Sequence, residues 1–173
     1  MRLYKGQVPA VARELAKLLT EGGDLEVEAQ DIPEFEEDIS AVLSEFIRLE
    51  RELIDDARDQ VSRRGGRGSI GREKRKIARR KGVEDLFEDP VGYIINQLIE
   101  IFFGSPFVAE VYSLDRHLRK KMAPVLKNHM SVEEELDEEV RDKIKNLEEG
   151  SEAWDIEYQK AMGKLKRTRD LED

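Results

Sequence analysis

The chain has 173 residues, 39% hydrophobic and 40% charged, with a formal net charge of −9 and no cysteine. A soluble domain is about 25% charged; here the excess is mixed in sign and apolar residues remain plentiful, which argues against disorder and for a buried core. Lack of cysteine excludes disulfides, thiolate nucleophiles and thiolate metal sites, and the net negative charge argues against general nucleic-acid affinity without fixing how the charge is distributed.

The opening Met1-Arg2-Leu3-Tyr4-Lys5-Gly6 has no apolar run of signal-peptide length. Val8, Val11, Ala12, Leu15, Leu18 and Leu19 recur at helical spacing and predict a first helix over 8–21 that stops at Gly22-Gly23. Asp24 to Ala29 alternates apolar and polar residues, but nothing obvious pairs with it, so it reads as an extended loop. From Pro33 onward, Ile39, Val42, Leu43, Phe46, Leu53, Ala57 and Val61 draw one apolar stripe along a long amphipathic helix. That helix ends at Arg64-Gly65-Gly66-Arg67-Gly68. Ser69 is placed to cap a basic helix running to Lys81, with Gly82 as its C-cap.

Pro90 stands near the start of the next helix. Tyr93 to Phe103 is the most apolar stretch of the chain, yet it carries Asn96, Gln97 and Glu100 and stops at Gly104-Ser105-Pro106. It is half the ~20 residues a membrane-spanning helix needs, so it reads as a core helix of a cytoplasmic protein with no membrane insertion. Phe107 to Lys121 reads as helical, with Pro124 as a break or kink. Ser131-Val132-Glu133-Glu134 fits a capping box. The helix it opens carries Val132, Leu136, Val140, Ile144 and Leu147 and ends near Gly150; Ser151 then caps a last helix bearing Ala153, Trp154, Ile156, Tyr158, Ala161 and Leu165.

A shift of 83 residues brings the two halves into register from Val11 to Val61 without a gap. Leu15 falls on Leu98, Val42 and Leu43 on Val125 and Leu126, Leu53 on Leu136, Arg58 and Asp59 on Arg141 and Asp142, and Val61 on Ile144. One added residue aligns Glu73, Lys76 and Ile77 with Glu157, Lys160 and Ala161. A unit with one exposed apolar face buries it against its partner. The predicted fold is therefore all-α: two tandem pseudo-repeats of three to four helices, 1–83 and 84–173, packed about a pseudo-twofold into one compact helical domain with about seven helices in all. Chance register between amphipathic helices is the competing explanation.

The opening Met-Arg-Leu-Tyr-x-Gly-x-x-Pro, the region Glu50-Arg51-Glu52, and above all Arg141-Asp142-Lys143-Ile144-Lys145-Asn146-Leu147 with Glu149-Gly150-Ser151-x-x-Trp154-Asp155-Ile156-x-Tyr158 resemble a bacterial family catalogued as domain of unknown function 507. The resemblance covers nearly the whole chain, and its Gly-Ser-x-x-Trp-Asp segment is the most specific part. Single-copy members look like the second half alone. The resemblance implies a family and no activity or catalytic residues.

The sharpest feature is the segment 63–81. Arg63, Arg64, Arg67, Arg72, Lys74, Arg75, Lys76, Arg79, Arg80 and Lys81 stand against one acid, Glu73, a local charge of +9 that leaves −18 for the rest. A glycine loop leading into a cationic helix can bind phosphate oxygens. Otherwise the strip neutralises acidic neighbours, forms a solvated face, or meets an acidic protein or lipid surface. It holds no aromatic residue, so base stacking is not supported and any nucleic-acid contact is with the backbone. Lys160, Lys164, Lys166, Arg167 and Arg169 echo it in the second half.

Other patterns carry little chemistry. Gly66-Arg67-Gly68-Ser69-Ile70-Gly71 spells G-x-G-x-x-G without the strand a dinucleotide site needs, and Gly68 to Gly71 echoes a KH loop without its strands. The acidic run Glu133 to Glu139 points around a helix rather than converging on a cation. His117 and His129 form no helical metal pair, no serine sits in a nucleophile elbow, and Trp154 and Tyr158 lie one turn apart as expected of core residues. No catalytic residue, metal or small-molecule cofactor is expected. The leading reading is a non-enzymatic interaction or adaptor protein that binds a protein partner or self-associates. The alternative is a nucleic-acid- or ribosome-associated protein using 63–81 on phosphate backbones.

Overall fold

The computed structural model describes residues 1–171. Apolar residues at steps of three and four become helix almost wherever they occur. Seven helices of twelve residues or more are present among the described residues: α1 (Val8–Glu21), α2 (Ile32–Arg63), α3 (Ile70–Lys81), α5 (Pro90–Gly104), α6 (Asp115–Met130), α7 (Val132–Lys143) and α8 (Glu152–Thr168). The one-turn α4 (Asp85–Glu88) joins α3 to α5. Among the described residues a single two-stranded antiparallel sheet, β1 (Leu25–Val27) with β2 (Val108–Val111), completes an otherwise all-α fold. Among the described residues no helix is long and apolar enough to cross a membrane.

The caps expected at Ser69, Gly82 and Ser151 form, and Asp89 adds one that was not expected. Ser69 Oγ accepts the Arg72 amide (3.4 Å), Ser151 Oγ accepts the Trp154 amide (3.1 Å), and Asp89 Oδ1 accepts the Gly92 amide (3.0 Å) just ahead of Pro90. Gly82 closes α3 at φ 68°, a left-handed conformation that a side chain would strain.

Five expectations need correction. Residues 25–27 are a strand, not a loop: Leu25 pairs with Val111, Glu26 with Glu110 and Val27 with Val108, across an irregularity between Glu26 and Val27. The partner lies in the segment read as helical from Phe107, whose true helix starts at Asp115. α6 continues through Pro124, which is exposed, so water can satisfy the carbonyl one turn back while buried Leu118, Met122, Leu126 and Met130 hold the helix on the core. No capping box forms at Ser131. Its backbone is already helical, its hydroxyl donates to the Asn128 carbonyl, and Glu134 instead accepts from the Met1 ammonium at 2.8 Å. Finally, α7 ends at Lys143, not near Gly150, with Ile144 leaving helical geometry.

The order helix, strand, long helix, basic helix runs from α1 to α3 and again from α5 to α8, the second long helix being interrupted at Ser131. α1, α2, α3, α5 and α6 bury one large apolar cluster that includes Leu15, Ile39, Leu43, Ile77, Leu98, Met122 and Leu126. Phe35 and Phe102 meet there at 5.7 Å between ring centroids. A separate small cluster joins α7 to α8 through Leu136, Val140, Ile144 and Met162, with Tyr4 and Leu171. Adjacent residues thus serve different clusters: Leu3 enters the large one and Tyr4 the small one. The N-terminal segment staples the α7–α8 hairpin to the body, helped by the Arg2 amide on the Met130 carbonyl at 2.9 Å.

Asp24 ties the sheet to the helices. Its carboxylate is buried and accepts from Lys121 Nζ and Ser113 Oγ, both at 2.5 Å, while its carbonyl accepts the Tyr112 amide at 2.8 Å. Burial pulls this carboxyl upward, but the bonds from Lys121 and Ser113 outweigh it and hold the group below the usual carboxylate range.

Candidate functional site

α3 is amphipathic in an unusual sense, dividing an inner apolar side from an outer cationic one. Ile77 and Ala78 are buried against the large cluster. The cations at positions 72, 75, 76 and 79 follow the i, i+3, i+4, i+7 spacing of one helix face and all are exposed, as are Arg63, Arg64, Arg67, Arg80 and Lys81; only Lys74 is half-buried. The glycines deliver this helix to the surface. Gly65 and Gly66 take φ near 70°, which lets the chain leave α2, turn and re-enter helix at Ile70. α2 precedes the loop and no strand adjoins it, so neither the dinucleotide nor the KH reading has its framework.

The acids neutralise only the inner edge of the strip. Glu73, 5% exposed, receives Arg64 at 3.0 Å and Lys76 at 3.8 Å. Lys81 reaches across to Glu52 and Asp56 of α2 at 3.1 and 3.7 Å, and Lys74 Nζ lies 4.5 Å from the centre of the Phe87 ring. Arg63, Arg67, Arg72, Arg75, Arg79 and Arg80 have no carboxylate partner among the described residues. An open groove runs between Gln60 and Arg64 at the end of α2 and the cationic side of α3.

The echo in α8 is more fully absorbed. Arg169 bonds Glu139 at 2.7 Å, Lys160 pairs with Glu157 at 3.7 Å, and Lys166 lies over the Tyr4 ring. The remaining sequence candidates stay apart. His129 Nε2 meets Glu14 at 2.7 Å, and among the described residues no group of three or more His, Asp or Glu is placed to hold a metal ion. Trp154 and Tyr158 stack at 4.9 Å, half-buried on the small cluster rather than deep in a core. Arg141 lies over Trp154 and pairs with Asp137 and Glu149. The Tyr158 hydroxyl donates to Asp137, which holds that carboxyl low with help from Arg141; burial first, then Asp137, pushes the phenol up to about 12.

Two features were not foreseen. The residues quoted for the family converge: Arg2 and Tyr4 share a recess with Glu50 and Arg51, and Tyr4 also packs in the cluster bordered by Leu147, Trp154 and Tyr158. Burial raises the Glu50 carboxyl there, against the opposing pull of Arg2 and Lys74. The second feature is an apolar groove between α2 and α5 floored by Phe46 and Tyr93. The apolar stripe of α2 marked those positions, but helical periodicity cannot tell a covered stripe from an open one.

No curated protein matches this chain. A family model described as Protein of unknown function (DUF507) matches residues 1–171, so the chain belongs to the DUF507 family.

Proposed function

We propose that this is a non-enzymatic interaction protein, and that the outer face of α3 is its working surface for phosphate-rich polymer, nucleic acid above all. The observation that carries the reading is the set of six exposed arginines with no carboxylate partner among the described residues, in a chain whose net charge is −9. In so acidic a protein a purely solvating strip would be expected to draw its counter-charges from its own surface, and among the described residues only Arg64, Lys76 and Lys81 do so. Guanidinium groups suit phosphate oxygens, and lack of aromatic residues favours backbone contact over base stacking. A cytoplasmic setting, where nucleic acid is within reach, belongs to the same proposal.

We also read the chain as two unequal copies of one unit. Support comes from the shift of 83, which carries α1 onto α5, β1 onto β2, and α2 onto α6 with α7. The copies differ at α3, where Arg72, Arg75, Arg79 and Arg80 have no carboxylate partner among the described residues, while Lys160 and Lys166 of α8 and Arg169 just after it are engaged.

The test is retention on heparin and on nonspecific RNA and DNA at low salt, before and after reversing Arg72, Arg75, Lys76 and Arg79 to Glu. Retention that the reversals abolish supports the reading; no retention of the unaltered protein at any salt sinks it.

A further inference from the structure

The inner and outer partners of α2 differ along its length. Val42, Phe46, Leu53, Ala57 and Gln60 follow one another at helical spacing along a single stripe. Over the C-terminal half of α2 that side is covered by α3, which lays down Ile77 and Ala78 and reaches Glu52 and Asp56 with Lys81. Lys81 is the last residue of α3. Toward the N-terminus of α2 the stripe continues without that cover, and a groove opens between α2 and α5.

The groove has an apolar floor and an acidic rim. Phe46 and Tyr93 pack at 6.1 Å between centroids, and half-buried Val42 and Ile101 widen the apolar surface. Glu45 on α2 and Glu100 on α5 stand exposed on opposite sides. Burial chiefly, and then both carboxylates, push the Tyr93 hydroxyl upward, so the field of the rim reaches the floor. Glu45 is partly occupied by Arg48, at 2.7 Å; Glu100 has no cation partner among the described residues.

We propose that this groove docks an amphipathic helix of a partner protein, one with an apolar stripe and flanking Lys or Arg. α3 on α2 is the template: the same helix already holds a basic amphipathic helix by apolar contact and a lysine laid onto its acids. The inference rests on the interaction-protein reading but not on the anion-binding face of α3.

The experiment titrates the full chain, followed by amide chemical shifts, with two short synthetic helices of identical leucine stripe, one flanked by Lys and one by Glu. The Lys-flanked helix is expected to shift resonances of 41–46 and 93–101 and to bind about five- to tenfold tighter at low salt. Glu100→Lys with Glu45→Lys should reverse the preference, and Ile101→Asp should weaken both helices, with an unchanged melting curve showing that each variant folds. Reversing Arg72 and Arg79 should leave binding intact, which separates this outcome from failure of the phosphate reading. Shifts confined to α7 or α8, equal affinity for the two helices, or no binding would overturn the proposal. So would shifts at the same residues on raising the protein concentration alone, since the occupant would then be a second copy.

Discussion

Salt gives the α3 face a quantitative test. A protein that neutralises Z phosphates of duplex DNA releases condensed counterions, so log Kobs falls against log salt with a slope of about −0.9Z. Four contacts from Arg72, Arg75, Lys76 and Arg79 give about −3.6, and the six unpartnered arginines acting together give about −5.4. Between 50 and 200 mM salt these slopes correspond to losses of about 150-fold and about 1,800-fold in affinity. Arg72→Gln with Arg79→Gln removes two contacts and should make the slope shallower by about 1.8, equally for duplexes of different sequence. Gln keeps nearly the helix propensity of Arg, and neither guanidinium pairs with a described carboxylate, so the fold should be unaffected. Fluorescence anisotropy of a labelled duplex at several salt concentrations measures the slope directly. A slope that the double substitution leaves unchanged, or a loss confined to one duplex sequence, would refute the assignment of backbone contacts to this face.

Three further outcomes bear on the fold. Asp24→Asn should lower stability by about 1.5–3 kcal/mol at neutral pH, because a buried charge-assisted pair is lost. The folded carboxyl titrates below its ordinary 3.8, so this contribution is present above about pH 4 and fades as the pH falls through the lower folded value; the gap between urea melts of the two proteins should hold from pH 7 to about pH 4 and narrow as the pH falls further. Tyr4→Ala removes a ring that is 1% exposed and should cost about 3–5 kcal/mol locally. Hydrogen exchange should then quicken in 132–168 while the helices of the large cluster stay protected; uniform loss of protection would show that the two clusters open together. Gly82→Ala, at φ 68°, should destabilise by about 1–2 kcal/mol in thermal melts, whereas Gly71→Ala, whose nearest contact beyond its neighbours is Ser69 Oγ at 3.6 Å, should be neutral or stabilising.

Local chemistry made much of this legible. The ends of α1 and α3 follow from Gly22 and Gly82, and Ser69 and Ser151 announce their helices because a hydroxyl ahead of an apolar period has one obvious amide to accept. What depended on distant partners was not legible. β1 is three residues long and needs β2, on the far side of four helices, before its alternation means anything. Ser131-x-x-Glu134 has the right letters for a capping box, yet α6 runs into it already helical and the chain's own ammonium takes the glutamate. The candidate site divides in the same way. The ten cations of 63–81 could be named from the sequence, but which ones lie free depends on Glu73 turning inward and on Glu52 and Asp56 presenting themselves to Lys81 from another helix.

That division of α3 follows from packing. A helix docked on α2 through Ile77 and Ala78 brings Lys81 onto Glu52 and Asp56 of α2, while Glu73, buried on α3 itself, takes Arg64 from the end of α2 and Lys76 from its own helix. Within α3, Arg72, Arg75, Arg79 and Arg80 are left exposed on the side opposite the buried Ile77 and Ala78. α2, about 48 Å long at 1.5 Å per residue, holds that cationic face near one end and the apolar groove near the other. A polymer on α3 and a helix in the groove would then sit on one rigid rod without competing for surface, which is the arrangement expected of a protein that joins two partners.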